Sequence, residues 1–218
     1  MRTRILVWFG CILGLAAPVS AGAIYDVVID TVPMIGHPAG PFTLDLQFID
    51  GSGAGDANNT AVLGNFTFGG GSPAGSAAGI GGVSGDLASS VQMIDSSFFN
   101  EFDQSFNPGA SLSFRLAVST NPDIGSPDEL SLAILDSSGF EIPTLGPGNA
   151  LLTVNIGAGT AAAAGFATES TRSPPAGGPP IMIAAPRITA VSAVPEPATL
   201  LLFLGAGICV RIRRSPPR

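Results

Sequence analysis

The 218-residue chain holds sixteen acidic residues against nine arginines, has no lysine, and carries a formal charge of −7. Six of the arginines lie at the two ends, so residues 24–193 balance three arginines against fifteen acids, a net −12. A surface of that sign repels nucleic-acid phosphates, and one histidine with two cysteines excludes a histidine-rich zinc site or a disulfide framework.

At the front, Arg2 and Arg4 precede an apolar run over residues 5–17, broken by Pro18 and followed by Ser20, Ala21, Gly22 and Ala23. A basic, then apolar, then small-residue order is that of a secretory signal peptide, read by the secretion translocon and cut by signal peptidase. Residues 1–23 are assigned to it, with Val19-Ser20-Ala21 and Ala21-Gly22-Ala23 both acceptable for cleavage. Cys11 falls in this segment and Cys209 near the other end, so the domain between must be held by its core.

Residues 24–169 read as that domain. Phe42-Thr43-Leu44-Asp45-Leu46-Gln47-Phe48 alternates apolar and polar without a break, and Ser111-Leu112-Ser113-Phe114-Arg115-Leu116-Ala117-Val118 repeats the pattern. A period of two predicts half-buried strands. Weaker versions occur over residues 25–31, 62–68, 98–106, 130–135 and 151–156, separated by glycine, asparagine, aspartate and proline turns. Asn107-Pro108-Gly109 is short enough to predict a hairpin between its flanking strands. The Gly/Ser/Ala-rich stretch 69–85 predicts a long surface loop, and 157–165 is similarly biased. No segment sustains a helical period, so the expected fold is all-β, an antiparallel β-sandwich of jelly-roll type.

Residues 170–193 predict a Pro/Gly-rich linker, within which 181–191 can return as an edge strand. Then come Val194-Pro195-Glu196-Pro197, an uncharged run from Ala198 through Leu200, Leu201, Leu202, Phe203 and Leu204 to Val210, and a tail with Arg211, Arg213, Arg214 and Arg218. The prolines place any helix start near Ala198. Thirteen helical residues span about 20 Å, short of the ~30 Å hydrocarbon core of a bilayer, which suits a temporary anchor. The positive-inside rule keeps the arginines cytoplasmic.

This ordered tail resembles the PEP-CTERM sorting signal of exported bacterial proteins. The resemblance covers residues 194–218. It implies processing by an exosortase, a membrane cysteine-type enzyme, and delivery to the cell surface or extracellular matrix. A narrower resemblance, to a group of small secreted PEP-CTERM proteins, rests on residues 44–51, on Asp56-Ala57-Asn58-Asn59-Thr60 and on Gly64-Asn65-Phe66-Thr67-Phe68-Gly69-Gly70. That group implies no enzymatic activity to carry over.

Two acidic loops are candidate sites. Asp50, Ser52, Asp56 and Asn58, with intervening glycines, offer oxygen ligands suited to calcium. The bland alternative is that Asp and Asn form turns by bonding their own backbone; Ala54 and the missing closing glutamate favour it. Asp123, Asp128 and Glu129 form a second such loop. His37, the one histidine, sits in Gly36-His37-Pro38 with no nucleophile motif beside it and reads as a solvated loop residue. The expected role is therefore non-enzymatic, structural or interacting, with no required cofactor. Two rivals are a calcium-supported module for extracellular polysaccharide and a hydrolase using two carboxylates on a glycosidic bond.

Overall fold

The computed structural model describes residues 22–121, 125–157 and 159–191. They belong to one compact unit, Ser20–Ala193. In chain order the strands are β1 (Gly22–Asp30), β2 (Phe42–Ile49), β3 (Thr60–Thr67), β4 (Ser72–Pro73), β5 (Ala78–Ile80), β6 (Gly82–Gly85), β7 (Ser90–Ile94), β8 (Phe99–Asn107), β9 (Ser111–Ser119), β10 (Asp128–Leu135), β11 (Leu152–Gly157), β12 (Thr160–Gly165) and β13 (Arg187–Val191). The described residues contain no α-helix, so the expected all-β class holds. The expected signal helix and C-terminal transmembrane helix lie outside the described residues, among which no helix is long and apolar enough to cross a membrane.

The strands form two antiparallel sheets. One runs β13-β1-β9-β3-β7-β6; the other runs β12-β11-β10-β2-β8-β4, with β5 also on β8. The pairings are nested: β1 with β9, β2 with β8, and β3 with β7. Such nesting is what a long two-stranded ribbon gives when it is folded over on itself.

Alternation explains the inner faces. Phe42, Leu44, Leu46 and Phe48 of β2 are buried, as are Leu112, Phe114, Leu116 and Val118 of β9, and both sets belong to one hydrophobic cluster fed by both sheets. Phe42, Phe48, Phe102 and Phe106 are each at most 2% exposed. Burying one such side chain contributes about 1.5–3 kcal/mol.

The Asn107-Pro108-Gly109 hairpin is not formed: β8 and β9 belong to different sheets, and this turn carries the chain between them. It can do so because it crosses the turn after β3 at backbone contact. Ala110 N–H donates to the Gly69 carbonyl at 2.9 Å, and a Cβ on Gly109 would stand 2.0 Å from the Phe68 carbonyl oxygen. A side chain there is excluded.

Two low-complexity stretches also depart from expectation. Residues 69–85 are not one open loop; β4 and β5 pair with β8, and β6 pairs with β7. Likewise Thr160–Gly165 pairs along its full length with β11. In each case the backbone ladder forms although the side chains have little strand preference.

The expected linker is docked on the body. Ile181 and Ile183 are buried in the core, and β13 adds to β1 as the edge strand foreseen within residues 181–191. Polar contacts fasten the segment at several points along its length. Ile183 N–H donates to Thr168 Oγ1 at 2.8 Å, Ala176 N–H donates to Asp136 Oδ2 at 2.7 Å, and His37 Nε2 lies 3.0 Å from the Pro179 carbonyl oxygen.

Candidate functional site

Polar residues collect in two places: at one end of the strands, and on the outer face of the sheet containing β2.

At the strand ends, Asp50 follows β2, Asn59 precedes β3, Asp95 follows β7 and Asp128 opens β10; all four are fully buried. Asp50 is wrapped by its own loop. Its Oδ1 accepts from the N–H of Ser52 at 2.7 Å and of Gly53 at 3.1 Å, while Oδ2 accepts from those of Gly55 and Asp56. Burial pushes this carboxyl up, but the Ser52 hydroxyl and the Gly55, Ser52 and Asp56 amides together hold it below the ordinary aspartate value. Backbone amides cradle an anion here, the reverse of a cation cage.

Asn59 is the hub. Its N–H donates to Asp95 Oδ1 and Oδ2 at 3.1 and 3.0 Å, and its Nδ2 donates to Asp128 Oδ2 at 2.8 Å and to the Asn121 carbonyl at 3.2 Å. Its Oδ1 accepts from Ser119 Oγ at 3.0 Å and Asn121 N–H at 2.8 Å. Asp128 Oδ1 accepts the Gly51 N–H at 2.8 Å. Burial raises the Asp95 value, the bonds from Asn59 and Asp128 lower it, and the Asp56 and Asp50 charges raise it; the net direction is up.

In the structure the oxygens of the sequence-derived calcium set make turn hydrogen bonds. Asp50 binds amides, Ser52 Oγ accepts from Ala54 N–H at 3.3 Å, and Asp56 accepts from both the backbone N–H and Nδ2 of Asn58 at 3.1 and 3.0 Å. Of the second acidic loop, Asp123 lies outside the described residues, Asp128 is a buried strand residue, and Glu129 is the next residue of β10. Among the described residues, no three or more His, Cys, Asp or Glu side chains form a metal-holding group. His37 is half-buried rather than solvated. Its Nδ1 accepts from Ala39 N–H at 3.1 Å, so Nε2 carries the proton and donates to Pro179. It clasps two segments and has no free nitrogen with which to act as a base.

The second cluster was not legible as a site. On β2 and β8, Asp45 and Asp103 face each other in register, flanked across the sheet by Ala133 of β10 and Ala78 of β5. Both sit at outward positions of their strands, yet Asp45 is only 2% exposed. Gln47 Nε2 donates to Asp45 Oδ2 at 2.9 Å. The Oδ1 atoms of Asp45 and Asp103 are both buried and accept no hydrogen bond. Burial, then the Asp103 charge, pushes the Asp45 carboxyl up to about 7 despite the Gln47 bond, with Glu101 and Glu141 adding to the rise. Asp103 is raised by burial, and Glu101 by burial and then by Asp103.

Directly opposed strand residues have Cβ atoms about 4.5–5.5 Å apart, and a retaining glycosidase separates its carboxyl groups by about 5–5.5 Å. Access argues against that chemistry, because a glycosidic oxygen cannot reach an Asp45 that is 2% exposed.

Comparison of the chain with protein-family models, with curated proteins and with solved structures found no match.

Proposed function

We propose that this chain is an exported cell-surface or extracellular-matrix protein with a structural or interacting role, sorted and processed through residues 194–218 by an exosortase-type enzyme. The observation that carries this reading is the ordered tail: Val194-Pro195-Glu196-Pro197, an apolar run too short for a lasting anchor, and four arginines. The signal-peptide pattern of residues 1–23 supports it from the other end.

The body fits such a role. Its buried polar groups at the strand ends are taken up in holding loops, and its one histidine in holding the segment before β13. We read the fold more finely as a jelly-roll β-sandwich. The support is the nesting of β1–β9, β2–β8 and β3–β7, with β10, β11 and β12 widening one sheet.

The test replaces Pro195, Glu196 and Pro197 with alanine in the native host and follows location and intact mass. Retention of the unprocessed chain at the membrane is expected. Wild-type location and mass in the variant would overturn the sorting reading.

A further inference from the structure

We propose that Asp45 is held as a neutral carboxylic acid against an ionised Asp103, and that loss of this one proton loosens the pairing of β2 with β8. This contact lies in the body of the chain and does not depend on the sorting reading.

Register and burial carry it. Asp45 and Asp103 are directly opposed on adjacent strands, a position in which two like charges destabilise a sheet. Water does not relieve them: Asp45 is 2% exposed, and the Oδ1 atoms of both residues are buried without a hydrogen bond. A carboxylate so placed loses its hydration and gains no donor at that oxygen in return. Gln47 Nε2 donates to the other oxygen of Asp45 at 2.9 Å, while Thr43 and Ser105 bond each other at 3.1 Å. The residues flanking the pair on β10 and β5 are Ala133 and Ala78, which have no polar side-chain atom.

No protein cation answers the charge either. The charged groups that face Asp45 are Asp103 and Glu101 of β8 and Glu141, which bridges to Leu135 at the end of β10; all are acids. The strands alongside add only neutral residues there, Ser131, Ala133 and Leu135 from β10 and Ala78 and Ile80 from β5. Among the described residues the arginines lie elsewhere: Arg115 pairs with Asp26, Arg172 pairs with Glu169, and Arg187 is on β13 of the other sheet.

A proton is the counter-ion that this dry, alanine-flanked lining admits. On Asp45 Oδ1 it abolishes the opposition of charges and supplies a donor for Asp103 Oδ1, an O–H···O⁻ bond of the strong, charge-assisted kind. It belongs on Asp45 because Asp103 is only half-buried and keeps more of its hydration when charged. The Asp45 carboxyl, pushed up to about 7 by burial first and the Asp103 charge second, agrees with that assignment. When the proton leaves to solvent the two carboxylates repel across the ladder, and beyond β8 the sheet has only the short strands β4 and β5. A raised carboxyl contributes stability that is complete below the ordinary 3.8 and is lost once pH has risen through its folded value, here about 7.

The test is a carbon-NMR titration of the aspartate carboxyls of the full-length chain in detergent, each signal assigned through its own backbone. An Asp45 midpoint near 7 is expected in the wild type, moving down in Asp103→Asn, where the facing charge is gone. The wild-type titration needs no variant to fold. Urea unfolding gives a second readout. Relative to Asp45→Asn, the wild type should lose about tenfold in its folding constant per pH unit between about 4 and about 7, and no more above that. An Asp45 midpoint at or below 3.8, a midpoint unmoved by Asp103→Asn, or parallel pH profiles for wild type and Asp45→Asn would each overturn the proposal.

Discussion

Asn59 Nδ2 and Asp128 Oδ2 lie 2.8 Å apart in a fully buried contact that ties the start of β3 in one sheet to the start of β10 in the other. Because Asn59 also bonds Asp95, Ser119 and Asn121, one amide side chain and its backbone hold four segments in place. Replacing Asn59 with alanine removes the side-chain bonds and leaves buried partners unsatisfied. A loss of about 2–4 kcal/mol in urea unfolding is expected. Asn59→Asp should cost at least as much, by adding a carboxylate next to Asp128.

The segment before β13 should behave as core, not tether. Ile183 is 2% exposed and Met182, beside it, 55%. Ile183→Ala is expected to cost about 2–5 kcal/mol, and Met182→Ala to stay within about 0.5 kcal/mol. Equal effects in chemical denaturation would mean that the segment does not contribute to the folded body.

Acid should weaken the loops in a defined order of sign. Asp50 and Asp136 both sit below the ordinary value of 3.8: burial opposes this, but bonds from Ser52 and its loop, or from Ser138 and Ala176, prevail. A lowered aspartate contributes stability that is complete above 3.8 and is lost as pH falls through its folded value. Asp95 is raised, so its contribution is complete below 3.8 and is lost as pH rises through its folded value. Asp136→Asn should therefore be less stable than wild type at neutral pH by about 1–2 kcal/mol, with the gap closing in acid. Urea midpoints across that range provide the check.

How much of this could be read beforehand follows from which interactions are local. The alternation at Phe42 to Phe48 marks β2 because a strand's inner face repeats within the segment itself. Asp45, between Leu44 and Leu46, reads as an ordinary solvent-facing residue; only its register with Asp103 reveals a buried charge pair. Asp50 carried two readings, a ligand set with Ser52, Asp56 and Asn58 or a turn bonded to its own backbone, and the contacts made by its carboxylate are those of the turn: the loop directs its N–H groups inward onto it. Thr160–Gly165 was hidden because alanine gives no strand signal. Its place is set by β11 and by Tyr25, whose hydroxyl donates to the Ala161 carbonyl at 2.7 Å.

Glycine tolerance should split by contact. Gly109→Ala would drive a methyl to 2.0 Å from the Phe68 carbonyl, whereas the nearest atom to a Cβ on Gly157 is 3.7 Å away. The first variant is expected to lose more than about 3 kcal/mol or fail to fold, and the second to change stability by less than about 0.5 kcal/mol. Thermal melting of the pair distinguishes them.

The ladder between β1 and β13 sets Ile24 opposite Val191, so the folded body begins and finishes at the same corner. Pulling on those two extremities loads the five cross-strand rungs in succession rather than all at once. Tension on a protein fastened there would therefore unzip this edge first, at low force, and leave the interior layers of both sheets closed.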